Sequence, residues 1–253
     1  MDEAIAQAAR LLSRSRRACA LTGAGLSTES GIPDFRSPGG IWSRYDPDEF
    51  AYPRFVSSVD ARRSYWRWSA EFYPCLLAAH PNAGHVALAD LERAGRLCCL
   101  VTQNIDDLHR RAGSTRVIEL HGNATRVGCL GCGKEWPRAE VQGWLEAGVA
   151  EPRCDACGGI VKPRTVSFGQ AMPERETEAA FAEARACDVL LVVGSSLVVH
   201  PAATLVPVAH ESGASVILVN LEETPFDAIA SVVIRAKAGE ALRRIAAKVG
   251  GQS

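Results

Sequence analysis

Six short apolar runs punctuate the chain: Ala18 to Thr22, Leu97 to Thr102, Val117 to Leu120, Val189 to Val193, Ser215 to Val219 and Ser231 to Ile234. Each is short and bounded by turn residues, so each reads as a buried strand. Helical patterns lie between several of them, over Ala83 to Ala94, Glu174 to Ala186, Pro201 to Ser212 and Gly239 to Val249. An opening helix precedes the first run, with Ile5, Ala8, Leu11 and Leu12 on one face. Apolar strands alternating with helices build a parallel sheet covered on both faces, so the expected class is doubly wound α/β.

Two stretches break the alternation. Residues 39–81 carry Trp42, Tyr45, Phe55, Tyr65, Trp66, Trp68, Phe72 and Tyr73 without a strand-like run, and read as an inserted helical module. Residues 122–164 are rich in cysteine, glycine and proline, with too few apolar side chains for a core of their own. Something other than burial must order that piece. The remaining segments, 1–38, 82–121 and 165–253, are expected to form the main domain.

The second insertion holds Cys129-x-x-Cys132 and Cys154-x-x-Cys157, two knuckles separated by 21 residues. Four thiolates at such spacing close a tetrahedron around Zn²⁺, and a closed shell leaves no position for water, so the metal is expected to be structural. A redox dithiol pair is the alternative. The other five cysteines, Cys19, Cys75, Cys98, Cys99 and Cys187, are expected to be reduced core thiols.

A net charge of -1 supplies no broad basic field, which argues against a sequence-independent grip on nucleic acid. No stretch approaches the ~20 apolar residues that a membrane-crossing helix needs. A soluble, cytoplasmic monomer is the expectation, with no nucleic-acid or membrane partner.

The first strand ends in Gly23-Ala24-Gly25-Leu26-Ser27-Thr28, which is similar to the start of a Rossmann fingerprint, where small residues let a pyrophosphate approach backbone amides at a helix start. Thr28 stands in place of the third glycine, and a charged loop, Gly31-Ile32-Pro33-Asp34-Phe35-Arg36-Ser37, follows. Other strand ends carry Gln103-Asn104-Ile105-Asp106, Gly194-Ser195-Ser196 and Asn220. Polar and glycine-rich tips on one edge of an open α/β sheet favour a nucleotide crevice.

These motifs together, with His121-Gly122 and the two cysteine pairs, resemble the sirtuin signature in sirtuin order over nearly the whole chain. The resemblance implies a Rossmann-like NAD-binding domain with a smaller inserted domain of zinc and helical modules. It also implies an enzyme that removes acyl groups from protein lysines, consuming NAD and releasing nicotinamide and an acylated ADP-ribose. By the same resemblance Ala24, Thr28, Phe35 and Arg36 line the NAD site, and Gln103 contacts the ribose. Asn104, Ile105 and Asp106 form the nicotinamide pocket, with Asn104 counted among the catalytic residues. Gly194, Ser195, Ser196, Asn220 and the backbone at Ala238 hold the adenosine half. His121 is the general base: the acyl oxygen attacks the ribose carbon as nicotinamide leaves, and His121 then takes a ribose hydroxyl proton. An imidazole suits that task because its pKa of ~6.5 leaves it neutral at working pH. His80, His85, His109, His200 and His210 are expected to be structural.

The acyl-lysine is expected in an apolar tunnel near Val166 and Phe168, with the peptide adding as a strand between Gly169-Gln170 and Leu197-Val198-Val199. Simple core burial is the alternative for these apolar residues. Relatives that favour acidic acyl groups carry Tyr-x-x-Arg in the helical module; here Trp68 stands three residues after Tyr65 and Leu76 three after Tyr73, so a neutral acyl group is expected. Gln170 and Asn123 depart from the glutamate and serine often found at those positions. Two other functions compete. One is a protein ADP-ribosyltransferase using the same pocket. The other is a zinc-ribbon binding module, for which the basic residues near the cysteines, Lys134, Arg138, Arg153 and Lys162, are the relevant feature.

Overall fold

The computed structural model of the chain describes residues 1–35, 40–43 and 45–251. In chain order the main elements are α1 (Asp2–Arg14), β1 (Ala18–Thr22), α2 (Ala24–Ser27), α3 (Tyr52–Ser57), α4 (Val59–Ala78), α5 (Ala83–Arg93), β2 (Cys99–Thr102) and α6 (Leu108–Arg111). These are followed by β3 (Val117–Glu119), β4 (Gly122–Cys129), β5 (Glu135–Pro137), α7 (Arg138–Glu146) and β6 (Val161–Thr165). The chain closes with α8 (Glu174–Ala186), β7 (Val189–Val193), α9 (Leu205–Glu211), β8 (Ser215–Val219), β9 (Val232–Ile234) and α10 (Ala238–Gly250). No described helix is long and apolar enough to cross a membrane.

Six strands form one parallel sheet in the order β3-β2-β1-β7-β8-β9. The order runs outward from β1 in one direction and from β7 in the other, so the switch of direction falls between these two neighbours. A crevice opens at such a point, beyond the carboxyl ends of the strands. Successive residues face opposite sides, as the two-residue period of a strand requires. Ala18, Ala20, Leu191, Val193 and Ile217 pack against α1, α5 and α10, while Cys19, Leu21, Leu190, Val192 and Val216 pack against α8 and α9. The six strands fall where the apolar runs lie, and the α/β class is the one observed. One helix is shorter than its pattern: the segment after Pro201 makes a 3₁₀ turn over Ala202–Thr204 before α9 begins. Pro207 then sits in the first turn of α9, where its missing N–H costs no intrahelical bond.

The cysteine-rich insertion has no core of its own, but burial against its neighbour helps to hold it, which corrects the expectation that something other than burial orders it. Its strands pair antiparallel in the order β5-β4-β6. Val127, Trp136, Val141 and Val161 from this small sheet and α7 join Phe50, Phe55, Tyr65 and Trp66 from the helical insertion in one buried cluster. Each insertion thus completes the other's core. Pro74 inside α4 removes the donor that would bond the Ala70 carbonyl, and the Gln142 side-chain amide of α7 donates to that oxygen instead, at 3.4 Å. The helix break is therefore satisfied by the partner insertion.

Candidate active site

The β1 turn and the β7 turn press backbone against backbone. The Gly23 amide donates to the Val193 carbonyl at 3.0 Å and the Gly25 amide to the Gly194 carbonyl at 2.8 Å. A side chain at Gly25 would put its Cβ 2.9 Å from that carbonyl. Gly194 has φ of 60°, and a Cβ there would collide with the Leu26 amide nitrogen. Glycine at these positions leaves a backbone-lined hollow that other residues would fill, which fits the close approach of a pyrophosphate. The helix that follows, α2, has only four residues before a 3₁₀ turn over Thr28–Ser30, so the hollow is built by two turns rather than by a long helix.

Side chains knit the neighbouring tips together. The Asn104 amide nitrogen donates to the Gly23 carbonyl at 3.0 Å and to Ser27 Oγ at 3.1 Å, and its backbone N–H donates to Thr102 Oγ1. Ser27 Oγ donates in turn to Asp106 at 2.6 Å, and the same carboxylate accepts from the Leu108 amide. Burial raises the pKa of Asp106, and these two donors work in the opposite direction. Gln103 Nε2 donates to Ser195 Oγ at 2.8 Å, linking the β2 and β7 tips.

His121 lies two residues beyond β3, with Nδ1 3.0 Å from the Gln103 carbonyl oxygen. A carbonyl can only accept, so Nδ1 carries the proton and a neutral ring keeps its lone pair on Nε2. Burial holds the pKa of His121 below 6.5, opposed by that hydrogen bond. The ring is therefore a proton acceptor through the neutral pH range.

A cleft of about 700 Å³ runs along this edge. Ala24, Thr28, Phe35, Gln103, Asn104, Ile105, Asp106, His121, Gly194, Ser195, Ser196, Asn220 and Ala238 all line it. Arg36 lies outside the described residues. Val166, Phe168 and Gly169 line the same cleft, and the Val166 amide donates to the His121 carbonyl at 2.9 Å. Leu197 instead packs into the core at φ of 55°, and Val198 is half exposed. Their neighbour Val199 lines the cleft. Gln170 lines it too, accepting from the Ser167 amide across the Gly169 turn, whereas Asn123 donates to Asp107 and Glu119.

The cleft continues under α4, where Tyr65, Trp68, Ser69, Phe72, Tyr73 and Leu76 meet Arg138 from α7. Arg138 is 2% exposed, with its guanidinium 4.4 Å from the Tyr73 ring centre and one terminal nitrogen bonded to Ser69. Following Pro137 at a helix start, Arg138 reads locally as a surface residue, and only the fold turns it inward. Glu29 was also not anticipated: it lines the cleft and accepts from the Gly239 amide in the first turn of α10, at 2.8 Å. His200, expected to be structural, lines the cleft and bonds Thr204.

Behind the polar tips, two buried histidines, His85 and His109, pack with ring centres 4.9 Å apart and planes tilted by 59°. His85 Nδ1 accepts from the Asn82 amide, closing the cap of α5, while His109 Nε2 bonds Thr22 Oγ1 at 2.8 Å. Burial lowers His85 to about 4 and His109 to about 3. The unfolded chain therefore takes up protons near pH 6.5 that the folded chain refuses. The resulting stability is present above pH 6.5 and is lost as pH falls toward 4, by roughly 3 kcal/mol for His85 alone. Denaturant unfolding at pH 7 and pH 5 should show this loss, and His85→Gln should remove most of its His85 share. An equal pH dependence in that variant would place the effect elsewhere.

In the cysteine module, the thiols of Cys129 and Cys157 stand 3.5 Å apart and those of Cys132 and Cys154 3.6 Å apart, and all four converge. Backbone N–H groups of Cys132 and Gly131 point at Cys129 Sγ, and lower its pKa to about 6, despite some burial. Convergent thiols with amides aimed at sulfur suit a thiolate-bound Zn²⁺.

A family model described as "Sir2 family" matches residues 23–201. The NAD-dependent protein deacylase 2 of Archaeoglobus fulgidus is 45% identical over 251 residues, 98% of this chain and 97% of that protein. A structure solved for the mechanism and regulation of Sir2 enzymes superposes with a TM-score of 0.90 at 44% identity, covering 100% of both chains. A Sir2 variant bound to deacetylated p53 peptide and 3'-O-acetyl ADP-ribose gives a TM-score of 0.91 at 40% identity, over 96% of this chain and 98% of that one.

Proposed function

This chain belongs to the Sir2 family, and on that premise we propose that it removes acetyl or other neutral acyl groups from protein lysines at the expense of NAD, yielding nicotinamide, O-acyl-ADP-ribose and free lysine. The observation that carries the reading is the imidazole of His121, kept neutral on the wall of the cleft that the glycine turns and Val166 also line.

NAD is the co-substrate. Ala24, Thr28, Phe35, Arg36, Gly194, Ser195, Ser196, Asn220 and Ala238 hold it, and Gln103, Asn104, Ile105 and Asp106 surround the nicotinamide and its ribose. Asn104 is pinned by three hydrogen bonds and so presents one fixed face to the pocket. Nε2 of His121 accepts a ribose hydroxyl proton, which frees that oxygen to attack the acyl-derived carbon. Val166 and Phe168 wall the lysine channel, and burial there favours an uncharged side chain. Gly169 and the backbone at Leu197 and Val198 flank the incoming peptide. Zn²⁺ on Cys129, Cys132, Cys154 and Cys157 is structural, since four thiolates leave no open position.

The zinc-ribbon reading loses its basic surface. Arg138 and Lys162 are buried, while Lys134 pairs with Asp155 and Arg153 with Glu151. The ADP-ribosyltransferase reading differs in its products. Incubation with an acetyl-lysine peptide and a succinyl-lysine peptide, each with and without NAD, followed by mass spectrometry, tests the proposal. The expected result is acetylated ADP-ribose formed only with NAD. Deacetylation without NAD, or ADP-ribose transferred to protein with no acylated ADP-ribose, would overturn it. Preference for the succinyl peptide would overturn the neutral-acyl assignment and point to Arg138.

A further inference from the structure

A second set of donor atoms converges near the amino-terminal edge of the large sheet, at the end of the strands opposite the cleft. Cys19 is in β1, Cys98 immediately precedes β2, and Glu183 lies in α8. The two thiol sulfurs are 3.5 Å apart, and Glu183 Oε2 is 3.6 Å from Cys19 Sγ and 3.9 Å from Cys98 Sγ. All three ligand atoms lie within 4.8 Å of one another. Zinc–sulfur bonds of about 2.3 Å and zinc–oxygen bonds of about 2.0–2.2 Å require tetrahedral edges of about 3.8 Å between sulfurs and about 3.5 Å between sulfur and oxygen. The observed separations lie within about 0.4 Å of those edges, and the 3.5 Å between Cys19 and Cys98 sulfurs equals the closest sulfur separation within the four-cysteine module.

The surroundings are those of a binding site. Neither cysteine is in a disulfide. Arg17 donates to the Glu183 carboxylate at 2.7 Å, which orients it and offsets negative charge gathered there. Cys98 is only partly buried, giving an ion access, whereas Cys19 is at the inner side. Cys187, which follows α8, is turned away to its own helix end, its thiol donating to the Ala184 carbonyl at 3.3 Å. Paired thiols with a carboxylate suit a borderline-soft divalent ion and not Ca²⁺ or Mg²⁺, which take oxygen ligands.

We propose that Cys19, Cys98 and Glu183 form a second zinc site with three protein donors, clipping β1 and the start of β2 to α8. Binding exchanges the two thiol protons for one Zn²⁺, with both protons released to solvent. The site is independent of the catalytic reading, because its residues do not line the cleft.

The test is a zinc count on the full chain, reduced, loaded with zinc and cleared of excess, by elemental analysis and native mass spectrometry. The wild type should hold two ions, and Cys154→Ala should keep the ion at Cys19 and Cys98. Cys98→Ser and Glu183→Gln should bind the second ion at least about tenfold more weakly in competition with a chelator, leaving the first unchanged. Glu183→Gln preserves shape and serves if the cysteine variant does not fold. Cobalt substitution should show thiolate absorption that falls in Cys98→Ser. One ion in the wild type, or a Cys19–Cys98 disulfide in its place, would overturn the proposal.

Discussion

His121→Ala is expected to lower kcat/KM for deacylation by about 10²–10⁴-fold, the range removed with a positioned general base. The structure gives the reason in the Nδ1 contact: a ring that donates to the Gln103 carbonyl presents a lone pair, not a proton, at Nε2. Alanine deletes the acceptor but leaves untouched the bonds from Gln103 to Ser195 and from Asn104 to Gly23, so the dinucleotide hollow should survive. NAD affinity measured by calorimetry should therefore change little while turnover collapses. The pH profile supplies an independent readout. Because burial holds His121 below 6.5, the wild-type rate should rise with pH along an acid limb centred below that value and then stay level through neutrality. Retention of more than about a tenth of the activity in His121→Ala, which a lost general base does not allow, would remove this residue from the mechanism. So would NAD binding that fails in step with the rate.

Cys154→Ala should cost the chain the ion of its four-cysteine module, unfold the small sheet and abolish deacylation, with the six-stranded sheet largely retained. Apparent binding energies of about 10–16 kcal/mol for structural zinc in finger peptides exceed what this module's few buried side chains can replace. The damage should not stop at β4, β5 and β6. Val127, Trp136, Val141 and Val161 share their cluster with Phe55, Tyr65 and Trp66, so the helical insertion should loosen as well. Hydrogen exchange should then accelerate over both residues 47–78 and 122–165, with β1, β7 and β8 still protected. Activity should fall because β6 leads directly into Val166 and Phe168, which line the cleft with His121 and which we propose contact the acyl-lysine. Protection in 47–78 equal to wild type would show that the two insertions fold separately, contrary to the shared core.

The inner strands of the large sheet, β1, β2, β7 and β8, were legible because they are buried on both faces and so appear as nearly uninterrupted apolar runs. β4 was not, since Gly122 to Cys129 mixes polar, glycine and apolar residues and has a core face only where the helical insertion supplies one. The tip motifs were readable as residue types at strand ends. Leu197 and Val198 show the limit of that reading: adjacency to Gly194-Ser195-Ser196 does not say which neighbours face the cleft, and a left-handed φ at Leu197 turns its side chain into the core.

What the sequence determined by itself were properties set by near neighbours along the chain: strand and helix positions, two metal knuckles, glycine turns, and the order of motifs that marks the family. What only the tertiary structure decided were juxtapositions between distant segments. These include Arg138 brought beneath Tyr73, Gln142 satisfying the carbonyl freed by Pro74, His85 packed against His109, and Cys19 beside Cys98 and Glu183. Local periodicity records which face of an element is apolar, but not which element will cover it, because that is chosen by packing the whole chain at once.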